Sequence, residues 1–277
     1  MPFRNDLFLG RFGLNPRFDD TDLMLDEPVA RMIGRRVCRH YGKEQVPDGL
    51  LETLLAAAQS APAKSDLQQY SIVVTDKAQQ QAISDMIGSM PWIADASRFL
   101  VFCADMRRGQ RVAEIRGHDY ANNTLDTFMN GTVDAALAMM SFITAANFKG
   151  LGTCPVSAVR AHTAAVCELL GLPKGVYPVA GLTLGYPTDD GRFTPRLPMS
   201  VVVHHGTYDD DNLETELRAY DARRNQVQPI DPEKQMHKDE FGISDDYGWT
   251  ENTARRLAKR ERAEFGAFIR SHGFDLE

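Results

Sequence analysis

A chain of 277 residues with 43% hydrophobic content can bury a full core, and one large domain is expected from it. Its formal net charge of −7, with basic residues in short local clusters, argues against a nucleic-acid partner, which needs a broad basic surface. The four cysteines lie far apart with no C-x-x-C pair, so neither a zinc site nor a redox dithiol is indicated, and most of them are expected as small buried hydrophobes.

Residues 1–26 carry Gly10, Gly13, Asn15 and Pro16 and are expected as an extended arm whose Phe and Leu residues are available to a partner surface. They lack the apolar run of a signal peptide, and a cytoplasmic protein is expected. A helix over Glu27–Ile33 turns at Gly34 into Arg35-Arg36-Val37-Cys38-Arg39-His40-Tyr41, which packs three guanidinium groups into five residues. Arg presents a planar fork that matches phosphate and cannot discharge, so this cluster reads either as an anion site or as the solvated basic end of a helix. From Pro47 to about Ser60 the spacing of Leu50, Leu51, Leu54, Leu55 and Ala58 predicts a helix with Asp48 as its N-cap.

Residues 61–71 read as a loop that enters a β-branched strand at 72–75, a natural place for a ligand contact but equally an ordinary surface loop. Lys77–Gly88 predicts a polar amphipathic helix, and Phe99–Ala104 a strand covered on both faces. Between them Ser89–Ile93 is expected as a loop, with Trp92 either capping a core edge or offering a substrate platform. Leu125–Phe148 is apolar nearly all round and would run about 36 Å as a helix at ~1.5 Å per residue. Such a helix either lies wholly inside the subunit or packs its second face on a copy of itself. The apolar run at 133–146 contains Asp134 and falls short of the roughly 20 residues that span a bilayer, so no membrane role is expected.

Gly150-Leu151-Gly152 is followed by Pro155 where a dinucleotide fingerprint has its third glycine, and no strand precedes it, which rejects a Rossmann reading. A helix over His162–Leu170 stops at Gly171, and Tyr177–Pro187 predicts a further buried strand and turn. In Thr194-Pro195-Arg196-Leu197-Pro198 the prolines hold the chain extended and present Arg196 in a fixed direction. The remainder is charged and Pro-interrupted, with a final helix expected over Trp249–His272.

Four of these segments together resemble the nitroreductase family of FMN-dependent reductases, the resemblance running from about residue 28 to the end. The opening basic motif matches Arg35-Arg36-Val37-Cys38-Arg39-His40-Tyr41, with Val37 where the family usually has Ser, so that only its main chain serves. By this resemblance Arg35 and Arg36 hold the FMN phosphate and Arg39 lies beside the pyrimidine edge of the flavin. The loop Pro62, Ala63, Lys64, Ser65 and Gln68 matches one that reaches the flavin of the other subunit, with Tyr70 standing for a Trp. Met90 stands where a Gln touches the flavin ring. The Gly-Leu-Gly turn leads to main-chain contacts at Pro155, Val156, Ser157 and Ala158, and Arg196 matches a phosphate-binding Arg of the NADPH-linked branch, with Thr194 in place of its Lys.

The resemblance implies an α+β nitroreductase-like FMN-binding fold, a central mixed β-sheet flanked by helices, and a homodimer formed through the long helix with FMN sites near the interface. It divides the chain into an arm at 1–26, an FMN-binding core at 27–204 and a C-terminal excursion at 205–277. It implies FMN as cofactor, NAD(P)H as electron donor, and a nitroaromatic, quinone or flavin as acceptor by a ping-pong route. No G-x-S-x-G, H-E-x-x-H or P-loop is present, consistent with a cofactor that carries the chemistry. Alternatives are a reductive dehalogenase on the same scaffold and a non-catalytic flavin-holding protein.

Overall fold

The computed structural model describes residues 4–13 and 25–277. In chain order these form α1 (Arg4–Phe12), α2 (Glu27–Gly34), α3 (Asp48–Gln59), β1 (Tyr70–Val74), α4 (Lys77–Ile87), α5 (Trp92–Asp95), β2 (Arg98–Asp105), α6 (Arg107–Arg116) and α7 (Leu125–Phe148). Then come β3 (Gly152–Val156), α8 (Thr163–Leu169), β4 (Val176–Gly185), α9 (Met199–Val202), α10 (Leu213–Val227), α11 (Lys238–Phe241), α12 (Trp249–Leu257) and α13 (Phe265–Ser271). Packing separates two units: the described residues up to Arg35 with Phe193–Glu261, and Arg36–Arg192 with Arg262–Glu277. The division expected from sequence, with boundaries at 26 and 204, groups these segments differently.

The second unit holds the sheet, ordered β1-β2-β4-β3. The α+β class with a central sheet flanked by helices is as expected; the three pairings among the described residues are all antiparallel, where the sequence reading expected a mixed sheet. Alternate residues of β2 serve two cores. Leu100, Phe102 and Ala104 join the cluster built with α3 and α7, while Phe99, Val101 and Cys103 join the cluster containing Ile83, Ile93 and Val166. This period of two is the reason β2 reads as a continuous apolar run. Gly181 in β4 makes room for the Phe99 ring, because an added Cβ would lie 2.3 Å from it.

Helix α7 occupies the expected residues but is two-faced. Gly131, Asp134, Ala135, Ala138, Phe142 and Ile143 are buried, whereas Leu125, Met129, Val133, Leu137, Met140 and Phe148 are exposed. Gly131 sets its approach to β2, since a Cβ there would meet Met106 Sδ at 2.9 Å and Ala104 Cβ at 3.1 Å. All four cysteines are free and buried. No helix among the described residues is long and apolar enough to cross a membrane.

Several expectations need correction. The supposed extended arm is helical over Arg4–Phe12, where Phe8 and Phe12, one turn apart, bring their rings to 5.0 Å; residues 14–24 lie outside the described residues. Asp48 is the first residue of α3 rather than its cap, Pro47 takes the cap position, and the Asp48 carboxylate pairs with Arg98 at 2.7 Å. The loop expected at Ser89–Ile93 contains the start of α5. The single helix expected over Trp249–His272 is two, α12 and α13, because the intervening Lys259-Arg260-Glu261-Arg262 offers no apolar face and Arg262 takes a left-handed φ of 53°. Helices α6 and α10, both strongly polar, were not anticipated.

Candidate functional site

In the first unit two extended segments meet through one side chain. Helix α2 is capped by Asp26, whose carboxylate accepts from the Val29 N–H at 3.0 Å, and it runs out at Gly34 into Arg35 with φ −54° and ψ 137°. Residues 194–196 are kept extended by Pro195 and Pro198, as their fixed φ requires. Between them lies Arg11 of α1, only 5% exposed. Its Nε and Nη2 donate to Ile33 O (2.9 and 2.7 Å), Nη2 also to Arg35 O (2.5 Å), and Nη1 to Thr194 O (2.6 Å). In return the Arg196 N–H donates to Arg11 O at 2.6 Å, and Arg223 Nη2 donates to Arg196 O at 2.8 Å. The structure thus brings Arg35 and Arg196 to one cavity of about 750 Å³, whose walls include Met32, Leu197, Tyr220 and Trp249 and which Arg224 also lines.

In the second unit the stretch 36–41 is held by isolated contacts to β3 and to the chain after β4. The Cys38 N–H donates to Thr153 O at 3.0 Å, and bridges join Val37 to Arg192 and Tyr41 to Pro187. Gly152 permits this approach: a Cβ there would fall 2.6 Å from Cys38 Sγ. The Tyr41 hydroxyl donates to Cys38 O at 2.7 Å and lies 2.6 Å from Thr183 Oγ1, and burial pushes its pKa far above the ordinary phenol value, so it remains a donor. Burial likewise pushes the Cys38 thiol up. Arg36 and Arg39 are exposed; Arg36 Nη1 donates to Asp190 O at 3.2 Å, and the Arg39 guanidinium lies 5.7 Å from the centre of the Trp92 ring. Trp92 packs half-buried on an apolar cluster, the capping role, and Met90 packs beside it.

The loop at 62–69 is tied down by a carboxylate. Asp134 of α7, 1% exposed, accepts from Lys64 N at 3.1 Å and from Gln69 N at 3.0 Å. Arg108 Nη1 donates to Gln68 O (2.6 Å) and Tyr70 O (2.9 Å). Three non-glycine residues here are left-handed, Ser65 at φ 50°, Asp66 at 57° and Gln68 at 49°, a strained conformation that persists only where the surroundings over-determine it. Pro62, Lys64, Ser65 and Gln68 are exposed and Ala63 is half-buried. On β3 and the turn after it, Pro155 and Ser157 are exposed, Val156 is buried and Ala158 half-buried, and Ser157 Oγ accepts from Arg262 at 3.4 Å.

Sequence reasoning missed three residues that set this geometry: Arg11, Arg108 and Asp134. A lone carboxylate in the apolar run of α7 was the available signal for Asp134, since a buried acid is kept only where donors meet it. Arg11 sat in residues read as an arm, and nothing in its neighbourhood marked it. Among the described residues no group of three or more His, Cys, Asp and Glu is placed to hold a metal ion.

Comparison with known proteins adds independent findings. Residues 32–186 match the model of the nitroreductase family, and residues 194–277 that of the nitroreductase family C-terminal domain. An FMN reductase [NAD(P)H] of Bacillus subtilis is 33% identical over 91% of this chain and 100% of its own length. An oxygen-insensitive NADPH nitroreductase of Salmonella typhimurium is 36% identical over 70% of this chain and 80% of its own. The structure of NfrA2 from B. megaterium superposes with a TM-score of 0.82 at 31% identity, covering 91% of this chain and 100% of that one.

Proposed function

The chain belongs to the nitroreductase family, and from that footing we propose that Arg35 and Arg196, with Arg36 next along the chain, hold the phosphate of its FMN. The protein is an FMN-dependent NAD(P)H oxidoreductase acting on small acceptors such as nitroaromatics, quinones or flavins. The observation that carries the phosphate assignment is the shared cavity: Arg35 and Arg196, from distant segments, line one volume of about 750 Å³, within the usual ~300–1,000 Å³ of a small-molecule site. This donor set fits a phosphate dianion, because planar forks match its oxygens and remain charged at any working pH.

When bound, FMN supplies the hydride chemistry; the residues around it bind, orient and tune. Arg39 is assigned to the pyrimidine edge, where a fixed cation favours negative charge. Main-chain groups of Val37 and of Pro155, Val156, Ser157 and Ala158 are assigned to the flavin, as are the loop Pro62, Ala63, Lys64, Ser65 and Gln68, and Met90. Donor and acceptor use the same space in turn, a substituted-enzyme route. Arg196→Ala is expected to weaken FMN binding by ~2–5 kcal/mol, the scale for one partner of a buried charged contact removed. Unchanged affinity by fluorescence titration would remove the clamp.

The exposed apolar face of α7, carrying Met129, Val133, Leu137 and Met140, supports a homodimer through that helix. A Val133→Glu, Leu137→Glu variant is then expected to sediment as a monomer; an unchanged dimer, or a monomeric wild type, would place the contact elsewhere or nowhere. For the donor, the stretch at 235–240 offers no cation cluster for a 2′-phosphate. Lys238 pairs with Glu233 at 2.5 Å, and Lys259 pairs with Glu240. We therefore expect kcat/KM for NADH and NADPH to agree within about tenfold, ~1.4 kcal/mol. A hundredfold preference for NADPH in steady-state kinetics would overturn this.

A further inference from the structure

Helix α1 lies before both stretches that match the family models, 32–186 and 194–277, so the family pattern assigns it nothing. Yet its Arg11 is among the most buried charged side chains of the described residues, and each of its three guanidinium nitrogens reaches a main-chain carbonyl. The carbonyls belong to Ile33 and Arg35 on one side and to Thr194 on the other, and the main-chain oxygen of Arg11 takes the Arg196 N–H. Phe193, next to the second segment, stacks its ring 4.0 Å below the Arg11 guanidinium. One residue therefore ties together the two backbones that carry Arg35 and Arg196.

We propose that α1 is a brace for the phosphate clamp, with Arg11 as a positioning residue that sets the distance between Arg35 and Arg196. The proposal rests on the reading of those two as the FMN phosphate ligands. Two physical effects combine. A planar fork that meets three carbonyls from two segments fixes their separation in a way that a flexible ammonium cannot. The same contacts turn the negative ends of the Ile33, Arg35 and Thr194 carbonyl dipoles toward a cation instead of leaving them to repel a bound anion. Recognition of phosphate by two forks depends on their placement, so loosening the brace costs affinity for the phosphate itself.

The test uses the full-length protein freed of flavin and titrated with FMN and with riboflavin, which lacks the phosphate. Arg11→Gln is expected to lower FMN affinity by about ten- to a hundredfold, the scale on which loss of an outer hydrogen-bond partner weakens a bound group, while riboflavin affinity stays unchanged. Arg11→Lys, which keeps the charge but not the fork, is expected to lose most of the FMN preference too, and it carries the test if the Gln variant does not fold. Arg196→Ala run alongside separates the two ideas. If Arg196→Ala loses the preference for FMN over riboflavin and Arg11→Gln does not, the brace is wrong and the clamp stands. If Arg196→Ala keeps that preference, the clamp itself is wrong and the brace falls with it. An equal loss of both flavins in the Arg11 variants, or a wild-type preference in Arg11→Lys, also overturns the brace.

Discussion

The segment at 194–196 and the loop at 64–69 each meet a buried charged side chain, and the two charges are opposite. Arg11 takes carbonyls; Asp134 takes N–H groups from Lys64 and Gln69. A buried ion must be surrounded by its complement, so the sign of the anchor decides which pole of each neighbouring peptide turns inward. Where carbonyls are turned in, the chain stays extended and two prolines suffice to shape it. Where the Lys64 and Gln69 N–H groups converge on one carboxylate, the intervening chain must coil tightly, and Ser65, Asp66 and Gln68 take left-handed φ to do so. The loop that meets the carboxylate thus carries left-handed residues, and the segment at 194–196 carries none.

Three measurements test the contrast between these two anchors. The largest effect is expected from Asp134→Ala, which strands the buried Gln69 N–H and the part-buried Lys64 N–H and removes the reason for the loop's conformation. A loss of about 3–5 kcal/mol in urea unfolding is expected, the scale for removing one side of a buried charged contact. A change below about 1 kcal/mol would mean that Arg108, through the Gln68 and Tyr70 carbonyls, holds the loop alone.

Next comes Arg39, a cation whose guanidinium lies over Trp92 and is assigned to the flavin rather than to the backbone. Arg39→Gln is expected to lower the flavin midpoint potential by on the order of 30 mV, the two-electron equivalent of ~1.4 kcal/mol, with little loss of FMN binding. A wild-type potential would assign Arg39 to packing. The smallest effect is expected from Ser65→Gly. Relief of the left-handed backbone is set against the extra entropy of glycine, for a net stabilisation of about 0.5–1 kcal/mol. Destabilisation by the same amount would show that Ser65 is not strained in solution.

Much of the fold was legible because local pattern and tertiary role agree. The bounds of α7 and the buried run of β2 follow from hydrophobic spacing alone. Arg35 and Arg196 were legible as a pair of candidates only through family motifs, since no local rule joins residues so far apart. Arg11 was not legible as an anchor, because an anchor is defined by what it meets, and for Asp134 the lone acid in an apolar run marked a buried charge but not its partners. The break between α12 and α13 is of the same kind: helical propensity runs through Lys259–Arg262, and the helix ends where that stretch offers no apolar face and Arg262 turns left-handed.

Hydrophobic period and side-chain charge are properties of the chain, so the buried stretches and the residue types on hand for a phosphate could be read along it. Which backbone groups those charges face is set by packing. Hydrogen bonds from Arg11 to Thr194 and from Lys64 to Asp134 span long separations in the chain, and their energy depends on positions that only the packed molecule supplies.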